Sequence, residues 1–130
     1  MYEKLINSAL NAKKNSYSPY SDFKVGAALL TSDGKIYTGT NIENATYGAT
    51  VCAERTAFFK AVSEGERNFA AIAVAANEED YCYPCGICLQ VMAEFCGADN
   101  FEIITVKTAD DCKIYKLKNL LPYGFSLKIY

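Results

Sequence analysis

At 130 residues the chain is long enough for one domain with one core, burying roughly two thirds of the surface that its unfolded form exposes. Its 13 basic and 15 acidic residues leave a net charge of −2 with no long run of either sign, which argues against nucleic acid or an anionic membrane as a bulk electrostatic partner. It contains no His, so hydrolytic chemistry here must use carboxylate, thiolate or a metal-activated water.

The opening Met1-Tyr2-Glu3-Lys4 lacks a basic segment followed by an apolar run, so no signal peptide is expected. No stretch approaches the length of a membrane span, and the longest apolar run, Phe69 to Ala76, reads as a buried strand. The six Cys then read as free thiols or metal ligands instead of a disulfide framework, which points to the cytoplasm.

From Tyr2 to Lys13 the apolar residues Tyr2, Leu5, Ile6, Ala9 and Leu10 recur at helical spacing. Residues 15–22 are rich in turn formers and predict an ordered loop. Phe23 to Leu30 and Ile36 to Thr40 read as strands on either side of the turn signal Ser32-Asp33-Gly34-Lys35, an antiparallel hairpin. A polar, aperiodic stretch from Asn41 to Gly48 leads into a helix that opens at Cys52 and stops near Gly65. Strand three follows at Phe69 to Ala76, then a loop from Asn77 to Tyr83, then a helix after Gly86 that ends at Gly97. Phe101 to Val106 and Ile114 to Leu117 complete the strands; the tail from Asn119 to Phe125 is apolar but broken by Pro122 and Gly124, suited to covering a site or a partner subunit. A helix, a hairpin and two helix-strand units predict a single α/β domain over residues 1–130: a three-layer sandwich whose central mixed sheet has five strands.

The chemistry concentrates in two segments. Pro84-Cys85-Gly86-Ile87-Cys88 places two thiols two residues apart at the start of a helix, and Val51-Cys52-Ala53-Glu54-Arg55 opens another helix with a third thiol and a carboxylate. Three thiolates on one zinc leave a coordination position open for water, as catalytic sites require; a structural site would take a fourth ligand, with Cys82 the obvious candidate. Spacing alone leaves catalytic zinc, structural zinc and redox chemistry open. Glu54 lies within one helical turn of Cys52 and can move protons there, although a carboxylate in a first turn is also favoured by the helix dipole alone.

Six segments in order resemble the small, homotetrameric, zinc-dependent cytidine deaminases over almost the whole chain. They are Tyr17-Ser18-Pro19-Tyr20-Ser21, residues 23–28, residues 41–45, Cys52-Ala53-Glu54-Arg55, Pro84-Cys85-Gly86 with Cys88, and Leu120-Leu121-Pro122 with Phe125. The resemblance implies one zinc per chain on Cys52, Cys85 and Cys88, with Glu54 relaying protons while water replaces the 4-amino group of cytidine or deoxycytidine. That is a hydrolase reaction of pyrimidine salvage. It also implies that Asn41 and Glu43 hold the ribose, that Phe23 packs on the base, and that Ala53 and the loop before Cys85 offer backbone groups to the pyrimidine. Arg55 would offset the charge of the thiolates, and Tyr47 and Phe125 would reach a neighbouring subunit's pocket in a tetramer with shared active sites. The partner is then a small nucleoside, with neither nucleic acid nor membrane involved.

One position departs from the family pattern: Leu89 follows Cys88 where the family usually has Arg. Either a positive charge is lost beside the metal, or Leu89 simply joins Met92, Ala93 and Cys96 on a buried helix face. A near alternative substrate is a modified cytosine nucleoside of the blasticidin-S type. More distant alternatives are a thiol-disulfide oxidoreductase built on Cys85 and Cys88, and a non-catalytic zinc module closed by Cys82.

Overall fold

A computed structural model describes residues 2–127, so the outermost positions of the expected 1–130 domain lie outside the described residues. In chain order it contains α1 (Glu3–Ala12), β1 (Gly26–Thr31), β2 (Ile36–Thr40), α2 (Ala53–Ser63), β3 (Phe69–Ala75), α3 (Gly86–Phe95), β4 (Glu102–Thr108), β5 (Asp111–Lys116) and α4 (Leu117–Leu120). The strands form one sheet in the order β2-β1-β3-β4-β5, with β3 and β4 parallel and the other neighbours antiparallel.

Side chains that alternate along the strands divide the core in two. Ala27 and Leu29 of β1 and Ile72 and Val74 of β3 face α2 and α3, whereas Ala28, Ala71, Ala73 and Ala75 face α1 through Leu5 and Ala9. The result is the three-layer α/β sandwich with five strands that the sequence predicts. Gly39 sets the depth of α2 on the sheet, because a Cβ there would lie 2.5 Å from both the Ala53 carbonyl oxygen and the Ala57 nitrogen. This close approach matters for function: α2 carries Cys52 at its start. Phe58, fully buried, ties the same helix to its surroundings through the rings of Phe69 at 5.1 Å, Phe101 at 6.0 Å and Phe95 at 6.2 Å. Burying such a side chain contributes about 1.5–3 kcal/mol.

The hairpin turn and both long helices after it fall where the sequence puts them, and Gly65 takes the positive φ (101°) that ends α2. Two boundaries differ by three residues. Strand β1 begins at Gly26, not Phe23, because the Asn41 side chain takes over the preceding backbone: the Val25 N–H donates to Asn41 Oδ1 (2.9 Å) and Asn41 Nδ2 donates to the Phe23 carbonyl (2.7 Å). Strand β5 begins at Asp111, not Ile114, and stops at Lys116, whose N–H donates to Asn119 Oδ1 (2.9 Å) and so starts the short helix α4. No helix among the described residues is long and apolar enough to cross a membrane.

Candidate active site

Two helix N-termini on the same face of the sheet bring the predicted thiols together. Cys52 is the N-cap of α2 and Cys85 the N-cap of α3, both in extended backbone, and Cys88 lies in the first turn of α3. Ile42 and Val51 exchange two backbone hydrogen bonds of 3.0 Å, which clamps the chain just before Cys52. Before Cys85 the buried Pro84 restricts the backbone through its own fixed φ. The three sulfurs lie within 4.8 Å of one another, and Cys52 Sγ is 3.8 Å from Cys85 Sγ. Tetrahedral zinc with Zn–S bonds of about 2.3 Å needs S···S edges of about 3.8 Å, so this donor set fits one zinc ion per chain with a position left over. Cys82 stands outside the cluster, which leaves the four-thiolate alternative without its fourth ligand.

The surroundings suit concentrated negative charge. Both helix dipoles present their positive ends, and the Arg55 guanidinium reaches Cys52 Sγ at 3.3 Å. Arg55 Nε is buried without a hydrogen-bond partner, an orphan donor facing the region where anionic ligands gather. The Cys52 thiol is pushed down to about 5, first by a hydrogen bond from the Cys88 thiol and then by Arg55 and Cys85. Cys88, as the donor in that bond and by burial, is pushed up. Burial lifts the Glu54 carboxyl to about 7; the side chain is 4 % exposed. The Cys82 thiol is pushed up to about 12, by burial first and then by Glu54 and Cys52, and so stays a neutral thiol at physiological pH.

A cavity of about 220 Å³ opens onto this cluster. Its wall includes Phe23, Asn41, Glu43, Ala53 and Glu54 together with Cys52 and Cys85, so five predicted site residues meet two predicted ligands there. Asn41 and Glu43 also hold the scaffold. Asn41 Oδ1 accepts from Val25 N–H and from Ser16 Oγ (2.5 Å), and Glu43 Oε1 accepts from the Tyr20 and Ser21 N–H groups at 2.9 and 3.2 Å. Ser21 Oγ donates to the other Glu43 oxygen, and these bonds lower the Glu43 pKa, the Ser21 bond most. Phe23 is 45 % exposed at the mouth, not the core aromatic that a packing role would make it.

Tyr47 and Phe125 are not in this wall. They are 84 % and 67 % exposed, Tyr47 on the 3₁₀ turn Tyr47–Ala49 and Phe125 on the tail that crosses α3. Val25, Cys82 and Tyr83 do line the cavity but were not singled out from the sequence for that role. An aromatic directly before Pro84-Cys85 was the available signal for Tyr83. Leu89, 7 % exposed, packs with Met92 in the core beneath α3.

A three-layer α/β fold with a three-thiol centre at two helix N-termini and a buried Glu beside it defines a zinc-binding deaminase class of protein. Residues 1–104 match the family model described as "Cytidine and deoxycytidylate deaminase zinc-binding region". The chain is 51% identical over 124 residues to a cytidine deaminase of Sporosarcina psychrophila, covering 95% of this chain and 90% of that one. With a cytidine deaminase of Halalkalibacterium halodurans it shares 50% identity over 122 residues, 94% and 92% of the two chains. Among solved structures, cytidine deaminase from Burkholderia pseudomallei superposes with a TM-score of 0.90 at 44% identity, covering 96% of this chain and 99% of that one. The chain belongs to the cytidine and deoxycytidylate deaminase family.

Proposed function

We propose that the chain catalyses the hydrolytic deamination of cytidine to uridine and ammonia, accepts deoxycytidine as well, and does so with Glu54 as its proton-transfer residue. The observation that carries this is the placement of one buried carboxylate, Glu54, in a cavity lined also by Cys52 and Cys85 of the thiol cluster and by two polar residues, Asn41 and Glu43. Cys52, Cys85 and Cys88 would hold the zinc, which would supply Lewis-acid activation of a water.

Glu54 accepts a proton from that water as it adds to carbon 4 of the base, and passes protons to ring nitrogen 3 and to the departing amino group. General acid-base work of this kind contributes about 10²–10⁴ in rate. Phe23 packs against the base and Ala53, with the backbone before Cys85, meets its polar edge. Glu43 and the remaining N–H of Asn41 hold the ribose hydroxyls; both side chains are already fixed by other bonds, so little ordering remains when substrate arrives. Arg55 steadies the thiolates.

The assembly is a homotetramer in which sites are shared. The cavity, at about 220 Å³, is smaller than the roughly 300–1,000 Å³ of ordinary ligand pockets. Exposed Ile87, Phe59, Phe125 and Leu127 meanwhile line an apolar groove of about 650 Å³ along α3, a surface suited to a second copy. Tyr47 and Phe125 of one subunit then complete a neighbour's pocket. Six free thiols suit the cytoplasm.

Loss of cytosine ultraviolet absorbance on mixing the zinc-replete protein with cytidine, run beside Glu54→Gln, tests the assignment. Turnover by the native protein and at least a hundredfold less by the variant is expected. Equal turnover by both would remove Glu54 from the reaction, and turnover by neither would remove cytidine as the substrate.

A further inference from the structure

An exposed aromatic on an irregular tail is ordinarily free to fold back onto its own surface, yet Phe125 is held out. The Gln90 side chain grips its backbone from both sides: Gln90 Nε2 donates to the Phe125 carbonyl (2.5 Å) and the Phe125 N–H donates to Gln90 Oε1 (3.1 Å). The two bonds reproduce the exchange that a strand makes with its neighbour, and they fix the main chain while leaving the ring 67 % exposed. The approach to this clamp is itself close-packed, because a Cβ on Gly124 would lie 2.9 Å from Leu121 Cδ2 and 3.8 Å from Ala93 Cβ of α3. Gln90 sits on α3 two residues beyond Cys88 and five beyond Cys85, so one rigid helix carries two zinc ligands and the support of the tail.

We infer that Gln90 is a positioning residue for a second copy of the chain: its amide clamp presents Phe125 to the neighbouring subunit's nucleoside cavity and sets how tightly that neighbour binds substrate. This rests on the shared-site assembly proposed above. The clamp touches no substrate and takes no part in proton transfer. Its effect falls on binding, because a tail that samples other positions lowers the fraction of sites that are complete when substrate arrives.

Gln90→Met keeps the length and helix preference of the side chain and removes both bonds; Gln90→Glu keeps the acceptor for the Phe125 N–H and sets a carboxylate against the Phe125 carbonyl. Zinc content and sedimentation behaviour are measured first, then kcat and KM for cytidine. In both variants KM is expected to rise about tenfold while kcat changes less than threefold, with zinc and oligomer size unchanged. The decisive arm uses oligomers assembled from Gln90→Met and Glu54→Gln subunits. The first kind keeps its proton-transfer residue and lacks the clamp; the second has the clamp and does no chemistry. Near-native KM for a fraction of the sites in the mixture supports the inference, because a clamped Phe125 then serves another subunit's cavity. A KM in the mixture as high as in Gln90→Met alone overturns it, as does a fall in kcat at unchanged KM. A native protein that sediments as a monomer, or does not turn over cytidine, fails the shared-site reading itself, and the inference with it.

Discussion

Glu54 is 4 % exposed and Phe125 is 67 %, although the proposed reaction uses both. The region around Glu54 is fixed from behind. Helix α2 is pressed on Gly39, Phe58 is locked among three rings, and the Cys52 sulfur is met by Arg55. The region around Phe125 has no sheet or long helix of its own; the Gln90 amide holds it from the side, next to the close packing of Gly124 on Leu121 and Ala93. A metal centre tolerates little error in ligand position, so its supports lie in the core. A group that, as proposed for Phe125, serves another molecule must stay on the surface, and a hydrogen-bond clamp supports it while leaving the ring uncovered.

The contrast can be broken from either end. Phe58→Ala removes the ring that ties α2 to β3 and α3, and is expected to cost about 3–5 kcal/mol in denaturant unfolding, with loss of zinc affinity as the Cys52 end of α2 loosens. An unchanged midpoint would mean that the aromatic cluster does not hold the site. Phe125→Ala is expected to raise KM for cytidine about tenfold, the effect of losing one ring stacked on a base, and to leave the melting temperature within about 2 °C of native. A large loss of stability with no change in KM would return Phe125 to an ordinary packing role. Cys82→Ala has the smallest expected effect: bound zinc stays at one per chain, because Cys82 is outside the thiol cluster. Release of zinc from that variant would restore the four-thiolate site.

Much of the buried region was legible in the sequence. Helical spacing marked α1, α2 and α3, and Ser32-Asp33-Gly34-Lys35 marked the hairpin, because each signal is local and repeats within a few residues. The thiols were legible as ligands from two short motifs, and the family from six segments in order. What escaped depends on partners far along the chain. The start of β1 moved because Asn41, sixteen residues on, bonds Val25. The clamp joins Gln90 to a residue 35 positions away and leaves no periodic trace. Helix α4 escaped because one turn is too short to show a period, and its start depends on the Asn119 side chain. Leu89 was legible as a departure from its family, but its place in the core beneath α3 needed the packed structure.

The most direct test measures zinc content and cytidine turnover on the same preparations of native protein and Cys88→Ser, with circular dichroism to confirm that the variant is folded. One zinc per chain and turnover in the native protein, with both lost together in the variant, is the expected result. Undiminished turnover by a folded, zinc-free Cys88→Ser would contradict the account of a three-thiolate zinc centre as the seat of the reaction.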